Sequence, residues 1–182
     1  MPAIQVRSVL PADLPVLINI DHTTLSEYVW QMGVERNGAQ VAVKFEERRL
    51  PRPAPVYYPR NPRRIADLWR QPPGLLVAVL VSHESIDAPV GYVLVEPGQN
   101  KAARITGLAV EREKRLGGVG TALLIAAQDL ARENDYDQVI LETHAKNVPA
   151  IRLAQKLGFD FCGYQDRYFS GREIALFFGK SL

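Results

Sequence analysis

Cysteine is almost missing: Cys162 is the single thiol in 182 residues. One thiol can build neither a disulfide framework nor a multi-thiolate metal site. Its place in the apolar alternation FDFCGY predicts a buried strand residue, the usual position of a free cysteine. Histidine is scarce as well. His22, His83 and His144 lie far apart without ligand-type spacing, so no metal is expected. Neither sign of charge is in excess: 22 Lys and Arg against 20 Asp and Glu leave a net +2, too balanced to argue for a nucleic-acid partner. Long apolar runs are lacking too. The longest, GLLVAVLV at 74–81, is far too short to cross a bilayer, and the opening MPAIQVRSVLPADL lacks the charged-then-apolar order of a signal peptide. The expectation is a cytoplasmic protein with no membrane partner.

What is present reads as one domain over residues 1–182, since no repeat is visible and 47% hydrophobic content at this length suffices for one sizeable core. IQVRSV (4–9) alternates as a strand, and PADLPVLINID (11–21) opens a helix with proline and aspartate where an N-terminus favours them. In TLSEYVWQM, Leu25, Tyr28, Val29 and Met32 fall at i, i+3, i+4 and i+7, which predicts a second short helix. QVAVKFEERRL alternates as a strand. PRPAPVYYPRNP (51–62) holds five prolines and predicts an extended loop, so residues from about 38 to 62 read as an insertion. Asn61 and Pro62 are a cap and first turn for a helix carrying Ile65, Leu68 and Trp69.

Three strands follow, GLLVAVLV and PVGYVLVE joined by the polar SHESIDA, then ARITGLAV (103–110). A helix with Val119, Leu123, Ala126, Ala127 and Leu130 on one side leads into strand QVILET (138–143). A strand, a helix and a strand so joined make a right-handed crossover between parallel strands. Another helix opens near Asn147 and stops at Gly158, and FDFCGYQDRYF with EIALFFGK closes the chain as a hairpin. The fold class is α/β with a mixed sheet.

The sharpest local signal is RLGGVG at 115–120, three glycines at a helix entrance. Glycine is costly to order there, whereas the unpaired N–H groups of a helix start attract phosphates. A Walker loop needs lysine then serine or threonine after its last glycine, but Gly120 is followed by Thr121 and Ala122. A dinucleotide fingerprint begun at Gly118 needs glycine at 123, where the chain has Leu123. The pattern that fits is Arg or Gln, two residues, Gly, one residue, Gly, met by Arg115, Gly118 and Gly120.

With RLGGVGTALL, then LET, then an asparagine, then AIRLAQKLGF in that order, the chain from about residue 75 onward resembles the GNAT superfamily of acetyl-CoA-dependent N-acetyltransferases. The resemblance implies a central mixed sheet whose parallel strands four and five splay apart around the cofactor. It implies acetyl-CoA as co-substrate, with backbone groups of Leu108, Ala109 and Val110 on the pantetheine arm. Arg115, Leu116, Gly117, Gly118, Val119, Gly120 and Thr121 would hold the pyrophosphate, and Asn147 would touch the cofactor from the next helix start. Glu142 matches a position that acts as base in the family, directly or through water. The tyrosine that many members carry as acid is Ala154 here, so Tyr168, with Tyr164 as the other choice, becomes the expected donor to the thiolate.

Amine acetylation requires this division of labour. A lysine-like amine, with a pKa of about 10.4, is mostly charged at neutral pH and must lose a proton, while a phenol can donate and an ionised carboxylate only accept. Glu27 and Tyr28 are candidates for holding the acceptor, with Asp21, Glu96 and Trp30 weaker ones. The insertion is expected on the acceptor side. The expected function is an N-acetyltransferase acting on a primary amine of a small molecule or protein, as a monomer or homodimer. A non-catalytic acyl-CoA sensor on the same fold is the alternative; a partner-binding module built on RPAPVYYPRNP is a third.

Overall fold

The computed structural model describes residues 3–81 and 86–182. His83 and most of the SHESIDA connection lie outside the described residues. A seven-stranded mixed sheet forms the centre, in the order β1 (Ala3–Ser8), β4 (Gly74–Val81), β5 (Ile86–Pro97), β6 (Ala102–Val110), β7 (Gln138–His144), β9 (Glu173–Ser181), β8 (Asp160–Phe169). All described neighbours are antiparallel except β6 and β7, which run parallel as the crossover through α3 (Val119–Glu133) requires.

Strand alternation decides which side chains face which layer. In β4, Leu76, Ala78 and Leu80 join a core with α3 and α4 (Val148–Lys156), while Leu75 and Val77 face a second core beneath α1 (Leu14–Ile18) and α2 (Ile65–Leu68). The sheet is thus covered on both faces, which explains the unbroken apolar run of β4. On α3, Leu123, Leu124, Ala127 and Ala131 are fully buried, so the inward stripe sits slightly round from the expected one through Ala126 and Leu130.

Four expectations are corrected, three of them in the early chain. Residues 24–32 are a strand, not a helix: β2 (Thr24–Asn37) pairs with β3 (Gln40–Val56) as a long two-stranded ribbon. The inward positions keep a period of two, with Ser26 buried and Tyr28 and Trp30 packed against the core; the helical reading arises because Leu25 and Val29 on the other side are apolar as well. The register shift between Ser26 and Tyr28, where the Ser26 hydroxyl donates to the Tyr28 carbonyl at 2.8 Å, leaves residues 50–53 of β3 opposite Glu27 alone. Prolines 51, 53 and 55 belong to β3 itself, since an edge strand tolerates residues without an N–H. Cys162 is exposed, because β8 is the edge of the sheet and lacks a covering layer there. The helix expected over 11–21 is also short, a 3-10 turn at Pro11–Asp13 followed by α1.

The Asn61 cap is as expected, its side chain accepting from Arg63 N–H at 3.0 Å. Gly158 takes the left-handed φ of 79° that ends α4. Leu123→Ala, at a site with no exposure, is expected to cost about 2–5 kcal/mol, whereas Ile125→Ala on the outer side of the same helix should stay within about 0.5 kcal/mol. Urea unfolding of the two variants checks this.

Candidate active site

Strands β6 and β7 pair only from Ala102 with Gln138 to Ile105 with Leu141. Beyond that point they part. Thr106–Val110 keeps its partner β5 on one side, and Glu142–His144 keeps β9 on the other, so each presents an unpaired backbone edge to the gap between them. Buried backbone groups need partners, and a wedge with two such edges is a place for a ligand that carries amides.

A cavity fills the wedge, lined by Thr106, Leu108, Ala109 and Val110 from β6, by Leu141, Glu142, Thr143 and His144 from β7, and by Asn147 and Ala150 from α4. Its far wall is His22, Thr24 and the segment Val56–Arg60, which leaves the end of β3. Leu108, Ala109, Val110, Arg115, Glu142 and Asn147 are therefore brought together as expected from the sequence. Leu116 to Thr121 lie beside the cavity rather than on its wall.

The glycine turn has separable causes. Leu116, with φ 62°, is fully exposed, and Gly118 caps α3 at φ 89°, a conformation that side chains resist. Gly120 is bare for packing, because a Cβ there would lie 3.0 Å from Leu153 Cδ2. Gly117 has room, its added Cβ meeting nothing closer than Lys114 O at 3.5 Å. Asn147 caps α4, its Oδ1 accepting from Ala150 N–H at 3.4 Å.

Arg115 is a strut. Its guanidinium donates to the carbonyls of Val110 at 2.9 Å, Thr23 at 2.7 Å and Asp21 at 2.7 Å, so it ties the end of β6 to the loop that precedes β2. Burial lowers its pKa from the ordinary arginine value.

Glu142 is buried, with both hydrogen bonds on Oε2 and none on Oε1. Its side chain is 1% exposed; Arg104 donates to Oε2, Arg60 faces Oε1, and the Tyr168 hydroxyl donates to Oε2 at 3.0 Å. The structure brings Glu142 and Tyr168 together, but the phenol points at the carboxylate, and Tyr168 is not on the cavity wall. Arg60 also stacks near the Tyr168 and Phe169 rings at 5.7 and 5.5 Å. Tyr164 is exposed on β8 and packs against Phe45.

Glu27 and Tyr28 do not reach the cavity. Glu27 faces Arg49 at 3.9 Å, and the Tyr28 ring lies under the Arg152 guanidinium at 4.6 Å; their strand runs along α4 instead of opening toward the wedge. Trp30 N–H donates to Ala145 O at 2.9 Å, and Arg152 also pairs with Glu47 at 2.5 Å, fastening the ribbon to α4. Asp21 closes a turn onto Thr23 N–H at 2.9 Å, and Glu96 accepts from the Thr106 hydroxyl while facing Arg64 at 3.6 Å.

Sequence reasoning missed His22, Tyr58, Thr106, His144 and Phe169. The adjacent Tyr57 and Tyr58 in the insertion were the available signal; His22 had none, because its partner Tyr92 is distant in the chain. His144 is fully engaged: Nδ1 accepts from Lys146 N–H at 3.0 Å, Nε2 lies 3.4 Å from Glu173, and the ring stacks on Phe169. Burial lowers its pKa, opposed by Glu173.

The description Acetyltransferase (GNAT) family matches residues 42–159, more than half of the chain. The chain belongs to the GNAT acetyltransferase family. It is similar to a mycothiol acetyltransferase of Clavibacter sepedonicus, 33% identical over 96 residues, which is 53% of this chain and 30% of that protein. The chain thus spans less than a third of that relative's length. Among solved structures it resembles a nourseothricin acetyltransferase, with TM-score 0.76, 24% identity and 98% of each chain covered. It also resembles a protein provisionally assigned as a streptothricin acetyltransferase from Bacillus anthracis str. Ames, solved in complex with acetyl coenzyme A, with TM-score 0.72, 19% identity, and 99% and 98% of the two chains covered. These likenesses confirm the fold. Among the described residues no helix is long and apolar enough to cross a membrane, and no group of His, Cys, Asp and Glu is arranged to hold a metal.

Arg115→Lys, which can satisfy fewer of the three carbonyls, is expected to cost about 2 kcal/mol, lowering Tm by about 4–8 °C. Differential scanning calorimetry of the free protein measures it, and an unchanged Tm would remove the strut.

Proposed function

We propose that this chain transfers an acetyl group from acetyl-CoA to a primary amine. The observation that carries the reading is the pair of unpaired backbone edges after Ile105 and Leu141, which opens beside the start of α3. The pantetheine arm carries two amides and suits those edges, notably at Leu108, Ala109 and Val110. The pyrophosphate suits the free N–H groups around Leu116–Thr121, where the macrodipole of a 15-residue helix adds favourable charge. Asn147 would meet the arm from α4. The thioester then lies toward Glu142 and the Val56–Arg60 wall, and the acceptor amine enters from that wall.

In this reading Glu142 holds Arg60 and Arg104, and Tyr168 fixes the carboxylate. A carboxylate already facing two guanidiniums and a phenol is a better anchor than proton acceptor, and the phenol hydrogen that points at it is turned away from a leaving thiolate. The amine must enter uncharged, or lose its proton inside the site, before it attacks the thioester carbonyl carbon. Val56–Arg60, near the end of the 38–62 segment, line the acceptor wall, which supports a role for this stretch in acceptor choice.

Acetyl-CoA is expected to raise Tm, since a ligand that binds only the folded state stabilises it by mass action. Gly117→Asp places a negative charge where the side chain has room. It should leave the free protein's Tm nearly unchanged and abolish most of the acetyl-CoA shift. A full shift in that variant would contradict the pyrophosphate placement. Release of free thiol from acetyl-CoA, followed with glycinamide, lysine and streptothricin as acceptors, tests transfer itself. Stabilisation without turnover on any amine would favour a non-catalytic acyl-CoA sensor.

Glu142→Gln keeps the shape and removes the charge that two arginines face. It should lower stability by about 1–3 kcal/mol, less than for a fully enclosed pair because both arginines reach solvent. Tyr168→Phe should retain most of the acetyl-CoA shift and most of kcat; a loss of kcat beyond about tenfold would restore Tyr168 as the acid.

A further inference from the structure

The cavity wall carries three charged side chains, Arg60, Arg115 and Glu142, together with His22 and His144. Burial lowers the pKa of both rings, which leaves them neutral at neutral pH. Arg115 is taken up by three carbonyls beside the glycine turn. Among the described residues Glu142 is thus the single carboxylate on the wall.

Charge around Glu142 does not balance. Arg60 faces its Oε1 and Arg104 donates to its Oε2, so two guanidiniums share one carboxylate and one positive charge is left over. The neighbouring acids are already matched: Glu96 faces Arg64 at 3.6 Å, and Glu173 faces Lys146 at 2.8 Å. Neither can cancel the surplus.

Of the two arginines, Arg60 is the one on the cavity wall, with 22% of its side chain exposed. It approaches Glu142 through Nη2, and Oε1 accepts no hydrogen bond. A guanidinium is a planar fork of five N–H groups, so its Nε and Nη1 edge can take both oxygens of a second carboxylate. The Tyr168 and Phe169 rings flank it. Position separates this charge from the one a nucleotide needs: Glu142 is the first residue of β7 beyond the paired stretch, at the closed end of the wedge, whereas α3 begins past the open end of β6. The seat proposed for the pyrophosphate is at the other end of the cavity from Arg60.

We propose that the acceptor is a small primary amine that also bears a carboxylate, of amino-acid type, and that Arg60 binds this carboxylate and so sets acceptor choice. The inference rests on the acetyl-transfer reading above and adds the acceptor's chemical class. Glu142 is the positioning residue that holds Arg60 at the wall. A polycation meets the opposite environment, because the one carboxylate of the wall is already shared between two arginines.

Matched acceptors that differ only in carboxylate against carboxamide test this: alanine and alaninamide, β-alanine and β-alaninamide, 4-aminobutyrate and 4-aminobutanamide, with spermidine as the polycation. The three pairs place one, two and three carbons between amine and carboxyl carbon, since the reach from Arg60 to the reacting nitrogen selects a spacing. An amide's amine is the less basic and more often neutral, which by itself favours the amide. In at least one pair kcat/KM for the carboxylate is nevertheless expected to exceed that for the amide by about tenfold or more, the scale of a charge-assisted pair, with spermidine slower still. In Arg60→Gln that ratio should collapse toward one, chiefly through a raised KM for the carboxylate. Arg60→Lys, which keeps the charge without the fork, should retain part of it. Amides equal or faster in every pair, spermidine as the fastest acceptor, or an unchanged ratio in Arg60→Gln would overturn the proposal. So would equal slowing of both members of a pair in Arg60→Gln, because Arg60 would then serve the chemistry common to all acceptors.

A second readout needs no turnover. With coenzyme A present and ionic strength matched, the N-acetylated carboxylate of at least one pair should raise Tm more than its N-acetylated amide, and Arg60→Gln should lose that difference while keeping the acetyl-CoA shift. If no amine turns over, the acetyl-transfer reading fails, while this difference still decides whether Arg60 holds a carboxylate. No difference in the unaltered protein would refute the site, whether or not Arg60→Gln folds.

Discussion

The parting of β6 from β7 after four paired residues is the constraint on which the remaining architecture depends. A parallel pair that continued would satisfy its own backbone and leave no room. Each diverging strand is held from its outer side, β6 by β5 and β7 by β9, so the gap is enforced by antiparallel ladders rather than by anything inside it. Two helices guard the mouth: α3 begins past the end of β6, and α4 begins just after β7. Arg115 then stitches the β6 end to the loop before β2, where three carbonyls would otherwise lack a partner.

Around that gap the polar groups divide into two sets. On the β7 side, Glu142, Arg60, Arg104 and Tyr168 gather into one charged cluster whose members are hard to change singly, with Glu142 Oε1 facing Arg60 but lacking a hydrogen bond. On the β6 side, the Tyr92 hydroxyl lies 2.9 Å from His22 Nε2, and the His22 ring packs against Tyr58 at 4.8 Å. Of these three, His22 and Tyr58 line the cavity and Tyr92 is buried behind them.

The second half of the domain was legible from the sequence because its signals are local. The glycine turn, the α3 stripe, the Asn147 cap and the left-handed Gly158 each depend on residues within a few positions of one another. Residues 24–32 were misread for the opposite reason: apolar residues on both sides of the strand mimic helical spacing, and only pairing with β3, distant in the chain, reveals a strand. Cys162 was placed in the core by its apolar neighbours, but edge position is a property of strand order, which no single segment encodes. His22 could not have been found, since its partner Tyr92 lies 70 residues away. Glu142 was identified by pattern, whereas Arg60 and Arg104, which hold it, come from a proline-rich segment and from a strand interior.

The β2–β3 ribbon is fastened by Arg152 to α4 at its root, and the chain leaving it lays Tyr57 to Arg60 against the cavity. The seat proposed for the nucleotide belongs to other elements, β6 and α3. One half of the site is therefore inherited with the sheet, while the other is carried on an appendage with its own attachment. A lineage built this way can exchange what it acylates by altering the appendage, at little cost to the seat, and divergence among its members should accumulate there.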